Sequence, residues 1–242
     1  MTTEEFSNEF DIATNAYLPN GELFDEYEKS VFLTKAQDQI VLQLYNSFEK
    51  REFTKEILAP LIKTFVAKDE FTGVNENGEI ETELCPISDN SYFYKLPDDL
   101  WLITFEEAVI DSKDKCLNNK RISVAPTTQD KLIKILKNPF KGPNENRALR
   151  LNIANNIVEI ITKYDIKRYY IRYIKKLSPI ILTKLTDTTS LSGIVDRTEC
   201  ELHESIHRDI LNMAVALALQ NRRLTAQPQQ QEQQTQQEGQ QE

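Results

Sequence analysis

The sequence predicts an α+β protein with N-terminal helices that include a long central helix, a mixed or antiparallel sheet of about four strands, a C-terminal helix and a disordered Gln-rich tail. Three observations support this fold class. Stretches near both ends repeat apolar residues with helical spacing. Short β-branched and aromatic runs, separated by turn residues, occupy the middle of the chain. The final residues are almost only Gln and Glu, which bury too little apolar surface to offset the entropy of ordering.

The first helices are predicted from caps and apolar spacing. Residues 2–17 open with Thr-Thr-Glu-Glu, a plausible N-cap, and Pro19-Asn20-Gly21 then breaks the chain. Residues 23–48 contain no Gly or Pro, and Asp25 with Glu26 places negative charge where the helix dipole favours it. Apolar residues lie on most sides of this helix, so we expect it to be covered by the rest of the domain or by a second copy of the protein.

About four strands are predicted from short runs of β-branched and aromatic residues at 101–106, 121–125, 157–162 and 168–175. Residues 61–66 are also rich enough in β-branched residues to form a strand. Their short or hairpin-like connections favour an antiparallel or mixed sheet over a βαβ array. The polar segment 67–90 contains Asn77-Gly78, a strong hairpin signal.

Alternation within two of these strands predicts which side chains share a face. In the strand that begins at Trp101, the residues Trp101, Ile103 and Phe105 lie together. In the strand 168–175 one face carries Tyr169, Ile171 and Tyr173, and the other carries Tyr170, Arg172 and Ile174.

Two further helices are predicted in the second half of the chain. Thr127-Thr128-Gln129-Asp130 can cap a helix that ends at Asn138-Pro139-Phe140, because the residue before a proline disfavours helical geometry. Residues 202–219 form the last helix. We therefore predict one structural domain over residues 1–226 and a disordered Gln/Glu-rich tail over residues 227–242.

Composition limits the possible functions. A net charge of −9 argues against a general affinity for the nucleic-acid backbone. No apolar run is long enough for a membrane span, and the acidic N-terminus lacks the apolar core of a signal peptide. The three widely spaced cysteines, Cys85, Cys116 and Cys200, are expected to be reduced structural thiols.

The segment His203-Glu204-Ser205-Ile206-His207 matches the H-E-x-x-H pattern of zinc hydrolases. Two histidines four residues apart can bind zinc with the glutamate as general base. However, the chain has no further histidine, and the glutamates downstream all lie in the Gln-rich tail. The helical wheel places both histidines on the packing face, so we interpret them as core or interface residues and expect no catalytic site, metal or cofactor.

A second cluster combines cations with tyrosines between Lys163 and Lys176. Cations beside aromatic rings suit single-stranded nucleic acid. The alternative is a strand whose tyrosines pack while its cations face solvent or an acidic neighbouring subunit. The acidity of the whole chain favours the alternative.

Several separated segments resemble a family of virion structural proteins, the ring or head–tail connector proteins of crAss-like short-tailed phages. The resemblance runs piecewise from about residue 23 to 220 and is carried by residues 25–37, Leu96-Pro97-Asp98-Asp99-Leu100-Trp101, the loop Lys137–Pro143, residues 170–182 and residues 202–218. The Gln-rich tail and the polar segment 67–90 depart from the family.

The resemblance implies a homo-oligomeric ring with the twelvefold symmetry of the portal, located in the connector between capsid and tail. Its implied partners are further copies of itself, the portal protein, neighbouring tail ring proteins, and genomic DNA that passes through the lumen without sequence-specific binding. Candidate interface residues are Phe32, Tyr45, Phe140, Arg168, Tyr170, Arg172, Tyr173, His203 and His207. Two other functions stay open: a zinc hydrolase that uses His203, Glu204 and His207, and a nucleic-acid-binding protein that uses Arg168, Arg172 and Lys176.

Overall fold

A helical unit and a sheet unit alternate along the chain. The computed structural model describes residues 1–17, 23–47, 52–73, 84–88, 90–154, 156–186 and 189–238. Residues 1–61 and 177–242 make up the helical unit, and residues 62–176 make up the sheet unit. The prediction of a single structural domain over residues 1–226 stays a prediction.

The helical unit contains α1 (Thr3–Tyr17), α2 (Glu26–Asn46), α3 (Glu52–Leu58) and α5 (His207–Glu238). Helix α2 begins at a capping box in which Asp25 accepts a hydrogen bond from the Glu28 N–H and the Glu28 carboxylate accepts one from the Asp25 N–H. Helix α5 packs along both α1 and α2. Since α5 extends to Glu238, it includes most of the segment for which composition predicts disorder; that disorder stays a prediction.

A buried ion pair joins α1 to α2. The Lys29 ammonium lies 2.7 Å from Asp11 Oδ2 and 2.8 Å from Glu26 Oε1, and it also donates to the Ser7 hydroxyl. Burial lowers the pKa of Lys29, but the hydrogen bonds to Asp11 and Glu26 outweigh that effect and the net pKa is raised. The charge on Lys29 therefore stabilises the packing of these helices.

The segment after the sheet packs along α2 through hydrogen bonds between α2 side chains and its own backbone. Ser30 Oγ accepts a bond from the Leu182 N–H at 3.1 Å, and Thr34 Oγ1 accepts one from the Ile180 N–H at 3.1 Å. The Gln37 amide donates to the Ser178 carbonyl. Polar side chains of α2 thus replace a strand partner for this buried segment.

The sheet unit holds one seven-stranded mixed sheet. Its strands are β1 (Ile62–Ala67), β2 (Ser91–Lys95), β3 (Leu100–Asp111), β4 (Arg121–Thr127), β5 (Arg147–Ala154), β6 (Ile157–Ile161) and β7 (Asp165–Lys175). Their order is β1-β7-β3-β4-β5-β6-β2. Neighbouring strands are antiparallel except β4 and β5, which are parallel because α4 (Gln129–Leu136) crosses between them.

Apolar side chains cover one face of this sheet. Tyr94, Ile160, Tyr169 and Ile171 are among its buried members, and the aromatic rings of Tyr94 and Tyr169 lie 5.2 Å apart. On the other face, Leu132 of α4 packs against a smaller buried cluster that comprises Leu149, Leu151 and Ile161. Helix α4 therefore covers only part of the second face.

Two features of the predicted fold are wrong. The sheet has seven strands instead of about four, because the prediction left out β2 and β5, which pair with β6 and β4. Within the residues that the structure describes, a long central helix is not seen either. Helix α2 has 21 residues and packs within the helical unit, whereas the sheet has a buried cluster of its own. The hairpin predicted at Asn77-Gly78 lies outside the described residues.

The strand β3 also departs from simple alternation. Register shifts separate Leu100 from Leu102 and Ile103 from Phe105. As a result, Ile103 packs against the buried cluster while Phe105 is half-exposed on the other face, so the prediction that they share a face is wrong. Within the described residues, no helix has the length and apolarity needed to cross a bilayer.

Candidate interface surfaces

The uncovered face of the sheet carries cations and aromatic rings. Arg168, Tyr170 and Arg172 alternate along β7 with buried neighbours, and Arg168 and Arg172 are exposed. The pairing places Phe105 of β3 opposite Arg172 and Val66 of β1 opposite Tyr170. The rings of Phe105 and Tyr170 meet edge to face at 6.3 Å. This set of residues, here called the sheet-face surface, has the composition of a protein interface or of a nucleic-acid platform.

Tyr173 does not belong to the sheet-face surface. Its ring lies in the buried cluster on the opposite face, and its hydroxyl donates to Asp99 Oδ1 at 2.8 Å. Asp99 also pairs with the Lys63 ammonium at 2.6 Å, which lowers the Asp99 pKa. Tyr173 thus fixes the position of strand β7 from within the sheet unit.

Sequence reasoning missed a buried polar cluster beneath this surface. The Tyr169 hydroxyl donates to Glu106 Oε2 at 2.7 Å, and Arg150 Nε lies 2.9 Å from the same oxygen. Burial raises the Glu106 pKa, against the opposing effect of the Arg150 charge. The three residues come from β7, β3 and β5, so no local pattern could have shown that they meet.

A second surface lies at α4 and the loop that follows it. Phe140 is 88% exposed, and Ile133 and Leu136 of α4 are exposed as well. Asn138 fixes the loop because its side-chain Oδ1 accepts bonds from the Phe140 N–H at 2.9 Å and the Lys141 N–H at 3.3 Å. We call Ile133, Leu136 and Phe140 the α4 knob.

The loop is also fixed from its far end. The Gly142 N–H donates to the Asn138 carbonyl at 2.8 Å. A Cβ at Gly142 would lie 3.0 Å from the Asn138 oxygen and 3.3 Å from the Ile135 oxygen, both of which belong to the backbone. Only glycine fits this approach without a shift of the chain, so the position of Phe140 is built into the fold.

The helical unit contains a groove between α2 and α5. Its volume is about 430 Å³, and it is lined by Tyr27, Glu28, Val31, Phe32, Lys35, Leu217, Gln220 and Asn221. Phe32 is buried and stacks edge to face on Phe24 at 5.7 Å. Tyr45 is half-buried in the last turn of α2 and does not line this groove.

The two histidines occupy different environments. His203 is exposed and accepts a hydrogen bond from the Ser205 N–H as the N-cap of a short 3-10 helix, Glu204–Ile206. His207 is buried, with Nδ1 2.8 Å from the Met1 amino group and Nε2 2.9 Å from the Leu202 carbonyl. Both ring nitrogens of His207 are thus used in structural contacts, and burial lowers its pKa.

This arrangement does not favour a zinc site. A hydrolytic zinc needs a third protein ligand, and no group of three or more His, Cys, Asp or Glu residues is close enough to hold a metal ion in the part of the chain that the structure describes. Cys200, the thiol nearest in sequence, donates to the Gln37 side chain, and burial raises its pKa to about 11. A thiol with this pKa is a poor nucleophile at neutral pH.

Comparison with known proteins identifies the class of protein. The family model described as phage tail ring protein 3/4 matches residues 1–230. Ring protein 3 of Bacteroides phage crAss001 is 39% identical over an aligned region of 230 residues, and the alignment covers 90% of this chain and 95% of that protein. Ring protein 4/5 of the same phage is 32% identical over an aligned region of 229 residues, and this alignment covers 90% of this chain and 92% of that protein.

The chain is therefore a structural protein of a phage virion. It belongs to the phage tail ring protein 3/4 family. The resemblance to crAss-like ring proteins found in separated segments of the sequence is confirmed by a match over most of the chain. A name of this kind describes a structural part and no reaction, in agreement with the expectation of a non-enzymatic protein.

Proposed function

We propose that copies of this chain assemble into a closed ring of twelvefold symmetry in the connector between portal and tail. The observation that carries the proposal is the match of residues 1–230 to the ring protein family. A closed ring needs two different, complementary surfaces on each subunit, since head-to-tail contacts propagate around an axis. The sheet-face surface and the α4 knob in one unit, and the α2–α5 groove in the other, supply surfaces of different kinds.

In this assembly the ring has the portal protein and other ring proteins of the tail as its neighbours, and it forms in the host cytoplasm before it joins the virion. Its lumen surrounds the path by which the genome leaves. A net charge of −9 per chain supports a wall that repels the phosphate backbone and so lets DNA pass without sequence-specific binding.

Native mass spectrometry and electron microscopy of the purified full-length chain test the proposal. The expected result is a closed ring of 28.0 kDa subunits with twelve copies. A different copy number in a closed ring would contradict the twelvefold symmetry alone. A chain that stays monomeric at high concentration, and that is absent from purified virions, would contradict the proposal as a whole.

The sheet-face surface favours one alternative, binding of nucleic acid by Arg168, Arg172 and Lys176. Within the described residues, neither Arg168 nor Arg172 forms an ion pair, and Tyr170 and Phe105 lie beside these arginines. Lys176 is exposed just beyond the end of β7. This function requires affinity for single-stranded DNA that falls steeply with salt and is lost in Arg168→Ser/Arg172→Ser. Affinity unchanged by the double substitution would eliminate the alternative.

A further inference from the structure

The α4 knob is an apolar surface within a basic segment. Three apolar side chains, Ile133, Leu136 and Phe140, are exposed there. Four lysines of the same segment are also exposed: Lys131, Lys134, Lys137 and Lys141. Asp130 and Glu145 are the only carboxylates between residues 129 and 146. An exposed apolar surface that is rimmed by charged residues is typical of a protein–protein interaction site.

The charge of the chain is divided unequally between its two units. The helical unit, residues 1–61 and 177–242, contains 10 Lys and Arg against 21 Asp and Glu, a net charge of −11. The sheet unit, residues 62–176, contains 19 Lys and Arg against 17 Asp and Glu, a net charge of +2. A contact between the basic segment of one copy and the helical unit of another is therefore electrostatically favourable, whereas contacts between two helical units are not.

The α2–α5 groove is of mixed polarity and has an apolar part within the acidic unit. Val31, Phe32 and Leu217 line it, and its 430 Å³ is large enough for one aromatic side chain with an aliphatic neighbour. Glu28 lines the groove and Asp25 lies exposed one turn earlier, so carboxylates stand at the N-terminal end of α2. Lys35 lines the groove two helical turns after Glu28, with its ammonium 5.9 Å from the Phe32 ring. The Arg222 guanidinium lies 3.9 Å from the Phe24 ring, which packs on Phe32, so two cations lie at or next to the groove.

We infer that Phe140 of one copy inserts into the α2–α5 groove of the adjacent copy, with the lysines of the α4 segment facing the acidic helical unit. This inference rests on the proposed ring, and it names the heterologous contact by which the ring closes. The two surfaces come from different units of the chain, as a head-to-tail interface requires, and neither is complementary to itself. The knob supplies the aromatic anchor and the lysines supply orientation.

Disulfide trapping between two differently tagged chains tests the contact. In a Cys85→Ser/Cys116→Ser background, one chain carries Lys141→Cys, an exposed position next to the retained Phe140, and the other carries Lys35→Cys, an exposed position on the groove. The expected product under mild oxidation is a cross-linked heterodimer. The matched control replaces Lys35→Cys by Ile12→Cys, which is 69% exposed on α1 of the same unit, and should give no cross-link.

Assembly of single variants gives an independent measurement. Phe140→Ser should weaken association about 10- to 100-fold per interface, the factor expected from burial of one aromatic side chain. Ile87→Ser, at an exposed apolar residue of the same unit that lies outside the sheet-face surface and the α4 knob, should assemble as the wild type does. Circular dichroism of the unassembled chains controls for folding.

The outcomes separate this inference from the proposed function. Normal ring formation by Phe140→Ser would overturn the knob-in-groove contact, and so would the absence of a cross-link to residue 35. In both cases the proposed ring itself would stand. This includes the case in which Phe140 meets a different virion protein. If Phe105→Ser alone prevents assembly, the sheet-face surface is the subunit contact and the inference is overturned. Failure of the wild type to form rings overturns both.

Discussion

The buried Lys29 ammonium should contribute strongly to the stability of the helical unit. Its side chain is 3% exposed and meets Asp11 and Glu26 at 2.7 and 2.8 Å. Removal of one member of a buried ion pair costs about 3–5 kcal/mol, because the remaining charge keeps its desolvation cost. Here the carboxylates of Asp11 and Glu26 are 29% and 36% exposed, so water regains part of that energy. We expect Lys29→Met to lower the free energy of unfolding by about 2–3 kcal/mol.

Thermal and urea unfolding monitored by circular dichroism measure this loss. For a chain of this size, 1 kcal/mol corresponds to about 2–4 °C, so the midpoint should fall by about 4–12 °C. Lys35→Met is the matched control, because Lys35 is exposed on the same helix, and its effect should stay below about 0.5 kcal/mol. A loss below that limit for Lys29→Met, or an equal loss for both variants, would refute the reasoning.

The pH dependence gives a separate check. The folded-state pKa of Lys29 is raised above 10.5, so the folded state holds the proton more tightly than the unfolded state does. The stabilisation is therefore complete below pH 10.5 and is lost as the pH rises through the folded-state pKa. Above pH 10.5, the difference in stability between the wild type and Lys29→Met should shrink.

Three further predictions concern other buried polar groups. Burial lowers the His207 pKa from 6.5, so the unfolded state binds more protons and the stability should fall as the pH drops below about 6.5. In unfolding measured against pH, His207→Gln should flatten this profile, whereas His203→Gln should not. Tyr169→Phe removes the hydroxyl bond to a buried carboxylate and should cost about 1–3 kcal/mol in urea unfolding, whereas Tyr170→Phe, on the exposed face, should cost less than about 0.5 kcal/mol. Ser30→Ala leaves the buried Leu182 N–H unpaired and should lower the free energy of unfolding by about 1–3 kcal/mol. In urea unfolding the midpoint should therefore fall while the slope stays unchanged.

Local sequence signals located much of the candidate surface. Alternation in β7 separated Tyr169, Ile171 and Tyr173 from Tyr170, Arg172 and Ile174. The structure buries the first set, whereas in the second set Arg172 is exposed, Tyr170 is half-buried and Ile174 is buried. The same pattern did not say that Tyr173 is held inside by Asp99, since that contact joins residues 74 positions apart. Phe140 stood out as part of a loop motif, and only the structure showed that Asn138 and Gly142 hold it in solvent.

By itself, the sequence determined the features that depend on neighbours along the chain. The negative charge of Asp25 and Glu26 marks the start of α2, β-branched runs give β6 and β7, and the resemblance of separated segments gives the family. Only the tertiary structure decided the seven-stranded order, the shift of register in β3, the burial of Lys29 and the separate environments of the two histidines. The physical reason is that first-turn charge and side-chain periodicity depend on residues within one or two turns. Strand pairing and buried ion pairs join residues that are far apart in sequence, and their energies depend on how the folded chain buries them together.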